Sequence, residues 1–372
     1  MSENKLWEGS KSFKEKSHLF HYQKWLSDTY QLSFNSYDEL WKWSVNNISE
    51  FWKSLWEYFE VISHHPYDSV LSITNMPDFK WFNAAQLNYS EHIFRHAVDN
   101  EAAIIFSNEQ GDYEELTWKE LKIKVASMAS YLKSIGITKG DCVVAFLPNV
   151  PEATISFLAV NSIGAIWSST SPDFGTESVI DRFAQIKPKV FITTDGYYYN
   201  GKLHDKTAIA IDIASSLPTL EKVIVLPYLN KENISAFPTD FININSVFKT
   251  KTDALVFEPV DFNHPIWVLY SSGTTGLPKA IVHSHGGVLL EHLKYMAFHN
   301  DVHQGEHYFW YTTTGWMMWN FLQSALLMGA TIVLYDGSPT YPNFNKLWEF
   351  SEKVKVSHFG TSAPFLVASM KN

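Results

Sequence analysis

One loop concentrates the residue types that bind phosphate. The segment from Tyr270 to Ala280 reads YSSGTTGLPKA, so it combines hydroxyl groups, two glycines and one lysine. Glycine lets backbone N–H groups approach an anion closely, serine and threonine hydroxyls add donors, and lysine adds a positive charge. The loop is therefore a candidate site for the phosphates of a nucleotide.

Two short apolar runs flank this loop. The run 266–270 predicts a buried strand and the run 280–284 predicts another short strand, so the glycines lie on a turn between ordered elements. The spacing of Gly273 and Gly276 excludes the P-loop, which requires G-x-x-x-x-G-K-[ST]. The dinucleotide-binding pattern G-x-G-x-x-G is also absent.

The loop resembles the signature [ST]-[ST]-G-[ST]-T-G-x-P-K of the adenylate-forming enzymes, a superfamily of acyl-CoA synthetases, peptide-synthetase adenylation domains and luciferases. Ala280 is the one departure, because the family usually has glycine there. The resemblance implies an α/β fold: the layered αβαβα N-terminal domain of the superfamily, with two subdomains of mostly parallel sheets, incomplete at the C-terminus. It also implies ATP, coenzyme A and Mg²⁺ bound through the phosphates, with no metal held directly by the protein.

In this superfamily a carboxylate attacks the α-phosphorus of ATP, pyrophosphate leaves, and the thiol of coenzyme A then displaces AMP from the acyl-adenylate. Such chemistry depends on positioning and charge neutralisation. The resemblance implies catalytic roles for Lys279, near the leaving pyrophosphate, and for Thr275, on the metal-bound phosphates. The residues expected to hold the ATP phosphates are Ser271, Ser272, Gly273, Thr274, Thr275, Gly276 and Lys279.

A second segment, 311–320, resembles the block that lines the carboxylic-acid pocket of acyl-CoA synthetases. This segment and 163–175 are most similar to members that activate acetoacetate, which makes acetoacetate the expected acid and leaves acetate or propionate as the alternative. The expected pocket residues are Trp316, Met317, Met318 and Asn320. The large apolar side chains also fit an ordinary core. Asn320 is expected to hydrogen-bond a second carbonyl of the acid.

Coenzyme A leaves a weaker signal. The segment 195–202 resembles the part of acetyl-CoA-synthetase-like enzymes that offers basic side chains to the nucleotide end of coenzyme A. Lys202 alone is basic there, because Tyr199 occupies the place of a second basic residue, and a solvated surface lysine explains it equally well. His283 and His285 are expected to be structural and not metal ligands.

Composition bounds the class of protein. The 372 residues are 45% hydrophobic and 18% charged, which is typical of a soluble globular protein with two or three domains. A net charge of −10 argues against a nucleic-acid surface. The single cysteine, Cys142, excludes an internal disulfide and fits a reducing, cytoplasmic compartment. The sequence predicts no secretory signal or membrane span and does not specify an oligomeric state.

Three regions are expected along the chain. Residues 1–80 resemble the helical N-terminal extension of acetyl-CoA-synthetase-like enzymes, and apolar residues at helical spacing within 48–59 predict one buried helix face. Residues 81–262 are expected to form a first α/β subdomain. Residues 263–372 are expected to form a second subdomain that carries the phosphate loop and is truncated, because strands and helices alternate as in parallel βαβ units.

Family motifs expected further along the chain do not occur. They are a Y-G-x-T-E motif, a ribose-binding aspartate and a small C-terminal domain whose lysine drives adenylation. We therefore expect the chain to be the N-terminal portion of a longer enzyme and inactive alone, with a non-catalytic nucleotide-binding fragment as the alternative. The segment 174–177 is expected only to start a helix, with Thr176 or Asp173 as its cap.

Overall fold

The structure, a computed structural model, describes residues 7–73, 78–231, 233–252, 254–271 and 276–371. The α-helices are α1 (Lys11–Lys16), α2 (His18–Tyr30), α3 (Tyr37–Asn46), α4 (Ile48–Tyr58), α5 (Tyr89–Phe94), α6 (Trp118–Ser134), α7 (Pro151–Ser162), α8 (Thr176–Phe183), α9 (Thr207–Ser215), α10 (Ile244–Lys249), α11 (His285–Lys294), α12 (Met317–Gln323), α13 (Lys346–Lys353) and α14 (Ala363–Ser369). Short 3₁₀ turns span Ala184–Ile186 and Ser324–Met328, and a π-helical turn spans Tyr295–His299.

The strands are β1 (Ser69–Ile73), β2 (Lys80–Asn83), β3 (Gln86–Leu87), β4 (Ala102–Asn108), β5 (Tyr113–Thr117), β6 (Cys142–Phe146), β7 (Ile166–Thr170), β8 (Val190–Thr194), β9 (Gly196–Tyr199), β10 (Lys202–Asp205), β11 (Lys222–Leu226), β12 (Ile242–Asn243), β13 (Val260–Asp261), β14 (Pro265–Ser271), β15 (Lys279–Ser284), β16 (His307–Trp310), β17 (Thr331–Asp336) and β18 (His358–Gly360).

Two mostly parallel sheets contain twelve of these strands, and the other six form three two-stranded sheets, β1-β2, β9-β10 and β3-β13. The larger sheet has the order β12-β11-β8-β6-β7-β14-β15, and its one antiparallel pair is β14 with β15. The smaller sheet has the order β18-β16-β17-β4-β5, and its one antiparallel pair is β4 with β5. Parallel neighbours need long crossover connections, which place helices on the faces of a sheet. The predicted α/β class is confirmed.

The layers follow from the alternation of side chains along the strands. Val143 of β6 and Ile104 of β4 point into the largest core, which also contains residues of α5, α6, α7 and α11. Val144 points the other way, to a cluster with α8 and α9, and Ile105 points to a cluster with α13. Because successive strand residues face opposite sides, each sheet is covered twice. The predicted αβαβα layering is confirmed.

The expected boundary at residue 262 does not separate the two sheets. The hairpin β14–β15, which flanks the phosphate loop, completes the sheet that contains β6, β7 and β8. Strands β4 and β5 complete the sheet that contains β16, β17 and β18. Each sheet therefore combines segments from both sides of that position.

The N-terminal helices pack on the rest of the chain through aromatic residues. In α4, Leu55 and Trp56 are buried, and the Trp56 ring stacks on Phe82 with centroids 4.6 Å apart. Tyr22 of α2 stacks on Phe298 with centroids 4.7 Å apart. The predicted apolar face of 48–59 is confirmed.

Two helix starts differ in how they are capped. The capping box of α6 is present, because Thr117 Oγ1 accepts from the N–H of Glu120 at 3.2 Å and Glu120 accepts from the N–H of Thr117 at 2.9 Å. The predicted cap of α8 is wrong. Gly175 is its N-cap residue, and Thr176 already lies inside the helix as its first residue.

Candidate functional site

The hairpin β14–β15 brings the two ends of the phosphate loop together. Ser271 pairs with Lys279 across the hairpin, and both residues are exposed. Gly276 has a φ of 143°, a conformation that side chains rarely adopt, although no atom lies within 4 Å of a Cβ built there. Four predicted phosphate contacts lie outside the described residues: Ser272, Gly273, Thr274 and Thr275.

The end of α8 and the turn that follows it support this hairpin. The side-chain amide of Gln185 donates to the carbonyl of Pro278 at 3.1 Å, one residue before Lys279. The hydroxyl of Tyr270 donates to the carbonyl of Arg182 at 2.6 Å. Both ends of the loop are therefore anchored to the same neighbouring segment.

The carboxyl ends of β6 and β7 meet the segment that follows β16. Ser169 Oγ donates to the carbonyl of Thr314 at 2.7 Å, and Thr314 Oγ1 donates to the carbonyl of Leu147 at 2.7 Å. A Cβ on Gly315 would lie 2.8 Å from the Phe174 ring, so the two loops approach closely at that glycine. Ligand clefts of open α/β sheets lie at such carboxyl ends.

Met317 lines a cavity of about 490 Å³ beside the hairpin. The lining residues are Trp267, Val282, His283, Ser284, Gly287, Val288, Glu291, His292, Tyr295, Met317 and Phe321. Of the other predicted pocket residues, Trp316 is 63% exposed and Met318 is half-buried. Asn320 is fully buried, and its amide nitrogen and oxygen have no hydrogen-bond partner within the described part of the chain. Of the four predicted pocket residues, Met317 is the one that lines this cavity.

His283 and His285 accept hydrogen bonds from their neighbours. Nδ1 of His283 accepts from Nε1 of Trp267 at 2.8 Å, and burial lowers the pKa of His283. Nδ1 of His285 accepts from the N–H of Tyr89 at 3.3 Å, and burial lowers the pKa of His285 to about 3. Each ring is therefore neutral near pH 7, with its hydrogen on Nε2.

A second cavity, of about 340 Å³, lies where the carboxyl ends of the two sheets meet. Its lining residues are Pro148, Ser171, Pro172, Asp173, Tyr197, Tyr199, Tyr311, Thr312, Thr313, Tyr335, Asp336 and Gly337. Asp336 accepts from the Tyr228 hydroxyl at 3.1 Å and from the N–H of Asn149 at 3.3 Å. Burial, with smaller contributions from Glu109 and Asp173, raises the pKa of Asp336 to about 7.

The hairpin β9–β10 carries Lys202 beside this cavity. Lys202 is exposed and pairs with Tyr199 across the hairpin. The buried Glu109 carboxylate accepts from the N–H groups of Asn200 at 3.0 Å and Gly201 at 2.9 Å, and from the N–H of Ser338 at 2.8 Å. One carboxylate therefore fixes the turn of the hairpin against the loop that follows β17.

Glu109 and Asp336 were not identified from the sequence. Asp336 follows the apolar run of β17 and precedes a glycine, which is a usual position for a functional carboxylate at a strand end. Glu109 gave no such signal, because its three donors come from backbone groups far along the chain. His283 was identified, but only as a structural residue.

Cys142 is half-buried, and burial raises the pKa of its thiol to about 11, so the thiol is protonated at neutral pH.

Among the helices that the structure describes, none has both the length and the apolar character needed to cross a membrane.

Known proteins resemble almost all of this chain. A family model described as AMP-binding enzyme matches residues 91–372, and one described as Acetyl-coenzyme A synthetase N-terminus matches residues 37–93. The acetoacetyl-CoA synthetase of Gallus gallus is 38% identical over 98% of this chain and 56% of its own length. The acetoacetyl-coenzyme A synthetase of Rhizobium meliloti (strain 1021) is 40% identical over 100% of this chain and 57% of its own length.

A solved structure of an acetoacetyl-CoA synthetase from Streptomyces lividans has the same fold. Its TM-score is 0.94 at 42% sequence identity, and the match covers 98% of this chain and 56% of that chain. The chain thus spans about half the length of the relatives that it matches.

Proposed function

Because the chain belongs to the AMP-binding enzyme family, we propose that it forms part of an ATP-dependent acetoacetate:coenzyme A ligase that works through an acyl-adenylate. The observation that carries the proposal is that one hairpin bears the ends of the phosphate loop and also the wall of an apolar cavity. Lys279 begins β15, and Val282, His283 and Ser284 of the same strand line the cavity. Phosphate and acid would therefore be held side by side.

The hairpin would act on ATP through positioning and charge. Lys279 would place an ammonium group near the β- and γ-phosphates, and Ser271 would add a hydroxyl donor opposite it. Ser272, Gly273, Thr274, Thr275 and Gly276 would add further donors. Mg²⁺ would arrive with the phosphates of ATP. The exposed positions of Ser271 and Lys279 support these roles, because neither side chain has a hydrogen-bond or ion-pair partner among the residues that the structure describes.

The acid would occupy the cavity lined by Met317. The cavity exceeds the size of a four-carbon acid, so its volume alone does not select acetoacetate. A hydrogen-bond donor in the cavity would select acetoacetate over butyrate, because butyrate has no ketone oxygen that could accept the hydrogen bond. His283 is such a donor, since its Nδ1 accepts from Trp267 and its Nε2 then carries the hydrogen. We therefore add His283 to Trp316, Met317, Met318 and Asn320 as a candidate for acid recognition.

Coenzyme A would approach along the hairpin β9–β10. Lys202 supplies an exposed positive charge there, and Glu109 fixes the turn that presents it. The tyrosine-lined cavity beside the hairpin supplies aromatic surface. A cytoplasmic location remains part of the proposal and is supported by the single, protonated Cys142.

The test is AMP release by the complete protein that contains this chain, measured with a panel of short acids. AMP release that requires both acetoacetate and coenzyme A supports the proposal. A higher kcat/KM for acetate or propionate would favour the alternative suggested by the acetyl-coenzyme A synthetase match at residues 37–93. No AMP release with any acid, combined with measurable ATP binding, would favour a non-catalytic nucleotide-binding module.

A further inference from the structure

Three side chains with metal-ligand atoms meet outside the proposed ATP and acid sites. A ring nitrogen of His18, a carboxylate oxygen of Asp301 and a ring nitrogen of His303 all lie within 4.8 Å of one another. His18 begins α2, whereas Asp301 and His303 lie between the π-helical turn and β16. We propose that this cluster binds one divalent transition-metal ion, with Zn²⁺ as the best match, and fastens the N-terminal helices to the rest of the chain.

The chemistry of the donors selects the class of metal. Two imidazole nitrogens and one carboxylate suit Zn²⁺ and its transition-metal neighbours, whereas Ca²⁺ and Mg²⁺ prefer oxygen ligands throughout. All three side chains are half-buried, so the ligands are partly ordered by packing and yet reachable from solvent. Three protein ligands leave a fourth position for water. A neighbouring cavity of about 690 Å³, whose lining includes His18 and His303, provides space for it.

The surroundings hold His18 as a metal-binding histidine is usually held. Its Nε2 lies 3.0 Å from the carbonyl oxygen of Val302. When that nitrogen donates its hydrogen to the carbonyl, the other ring nitrogen keeps a free lone pair, and such carbonyl contacts commonly orient ligating histidines. The rings of His18 and His303 stack with centroids 4.4 Å apart and planes 20° apart. Because a nitrogen lone pair lies in the plane of its ring, one of the two stacked rings must rotate before both nitrogens can face one ion.

Asp301 also has a role that needs no metal. One of its oxygens accepts from the backbone N–H of His18 at 2.8 Å, which satisfies a free donor at the start of α2. The other oxygen lies 3.4 Å from Nε2 of His303. The two roles can be separated by Asp301→Asn, because the amide oxygen still accepts from His18 while the second oxygen and the charge are lost. Asp301 has a φ of 51°, which asparagine also tolerates.

The experiment is a titration of the metal-stripped chain with ZnCl₂ in a calorimeter, together with thermal unfolding with and without Zn²⁺. We expect one ion per chain and a higher Tm with Zn²⁺. Asp301→Asn and His303→Ala should each weaken binding at least about tenfold. Asp301→Asn should keep the Tm of the metal-free wild type, because its cap hydrogen bond survives.

His21→Ala is the matched control, since His21 is exposed on the same helix and lies outside the cluster. It should bind Zn²⁺ as the wild type does. Equal affinity in the wild type, Asp301→Asn and His303→Ala would place the ion on other histidines and overturn the proposal. Absence of any zinc-dependent change in heat or Tm would also overturn it and leave the cluster as a helix cap.

Discussion

At the scale of single residues, the cavity beside the hairpin contains a better candidate for acid recognition than the one that the sequence suggested. Asn320 was predicted from its place in a family motif, but it is fully buried and does not line the cavity. His283 lines the cavity and has its Nε2 hydrogen available. The sequence placed Asn320 in the acid pocket and gave His283 only a structural role. It could not show which side chain faces the cavity, because that depends on how α12 and β15 pack.

Substitution of these two residues separates the candidates. We expect His283→Ala to reduce the preference for acetoacetate over butyrate by about tenfold or more, because the donor to the ketone oxygen is lost. We expect Asn320→Ala to change that ratio little. The measurement is kcat/KM for both acids in the complete protein. If the preference for acetoacetate over butyrate is lost only in Asn320→Ala, Asn320 recognises the ketone oxygen, as the sequence predicted, and His283 does not.

Asp336 predicts a pH dependence of stability. Burial raises its pKa to about 7, and the pKa of an aspartate in an unfolded chain is about 3.9. Between these values the folded chain binds more protons than the unfolded chain, so this residue makes the free energy of unfolding fall as the pH rises from about 4 to about 7. Asp336→Asn removes the ionisable group, so this contribution to the fall in the free energy of unfolding should disappear.

The free energy of unfolding of Asp336→Asn, relative to that of the wild type, should rise by about 3 kcal/mol between pH 5 and pH 8. Urea unfolding of both chains at the two pH values, followed by circular dichroism, provides the measurement. Asp99→Asn is the control, because Asp99 is exposed. A difference between Asp336→Asn and the wild type that is the same at both pH values would contradict the burial of this carboxylate.

At the scale of elements, two hairpins carry the proposed chemistry, and the sequence predicted them unequally. The strands of β14–β15 were predicted from their apolar runs and the glycine turn between them. The support of this hairpin by Gln185 was not predictable, because Gln185 and Pro278 are 93 residues apart in the chain. The cap of α8 was predicted as Thr176 or Asp173 from residue type, but Gly175 is the N-cap residue. The preference of the N-cap position for such residues is worth only about 1 kcal/mol, so the path of the preceding loop can override it.

The β14–β15 hairpin should depend on its lysine for adenylation. Lys279→Ala is expected to slow formation of the acyl-adenylate at least about tenfold, because a charge next to the phosphates is lost. A single-turnover rapid-quench experiment with the complete protein measures this step apart from thiol transfer. Lys119→Ala, an exposed lysine on α6, is the control. An unchanged rate in Lys279→Ala would remove the lysine from the catalytic set.

The β9–β10 hairpin should depend on Glu109 for its position. Glu109→Gln replaces one of the two carboxylate oxygens that accept from Asn200, Gly201 and Ser338 with a donor. We expect the KM for coenzyme A to rise about tenfold, in keeping with the loss of a hydrogen bond to a charged group. Adenylate formation should not change. Glu101→Gln, on the exposed surface, is the control, and an equal fall in both half-reactions would indicate general destabilisation instead.

At the scale of the whole molecule, fold class and layering followed from the alternation of apolar runs, whereas the pairing of distant strands did not. The sequence predicted strands and helices that alternate as in parallel βαβ units. It divided them at residue 262, although β14 pairs with β7 and β17 pairs with β4. Crossovers between parallel strands have no fixed length, so sequence order does not reveal which strands become neighbours. The helical N-terminal region remains a proposed separate unit.

We propose that this chain carries the part of an enzyme where ATP and acetoacetate react. The most direct measurement is exchange of labelled pyrophosphate into ATP by the complete protein, with Mg²⁺ and without coenzyme A. We expect exchange that depends on acetoacetate and is strongly reduced by Lys279→Ala. Exchange that is absent with acetoacetate, in protein that is folded and binds ATP, would contradict it.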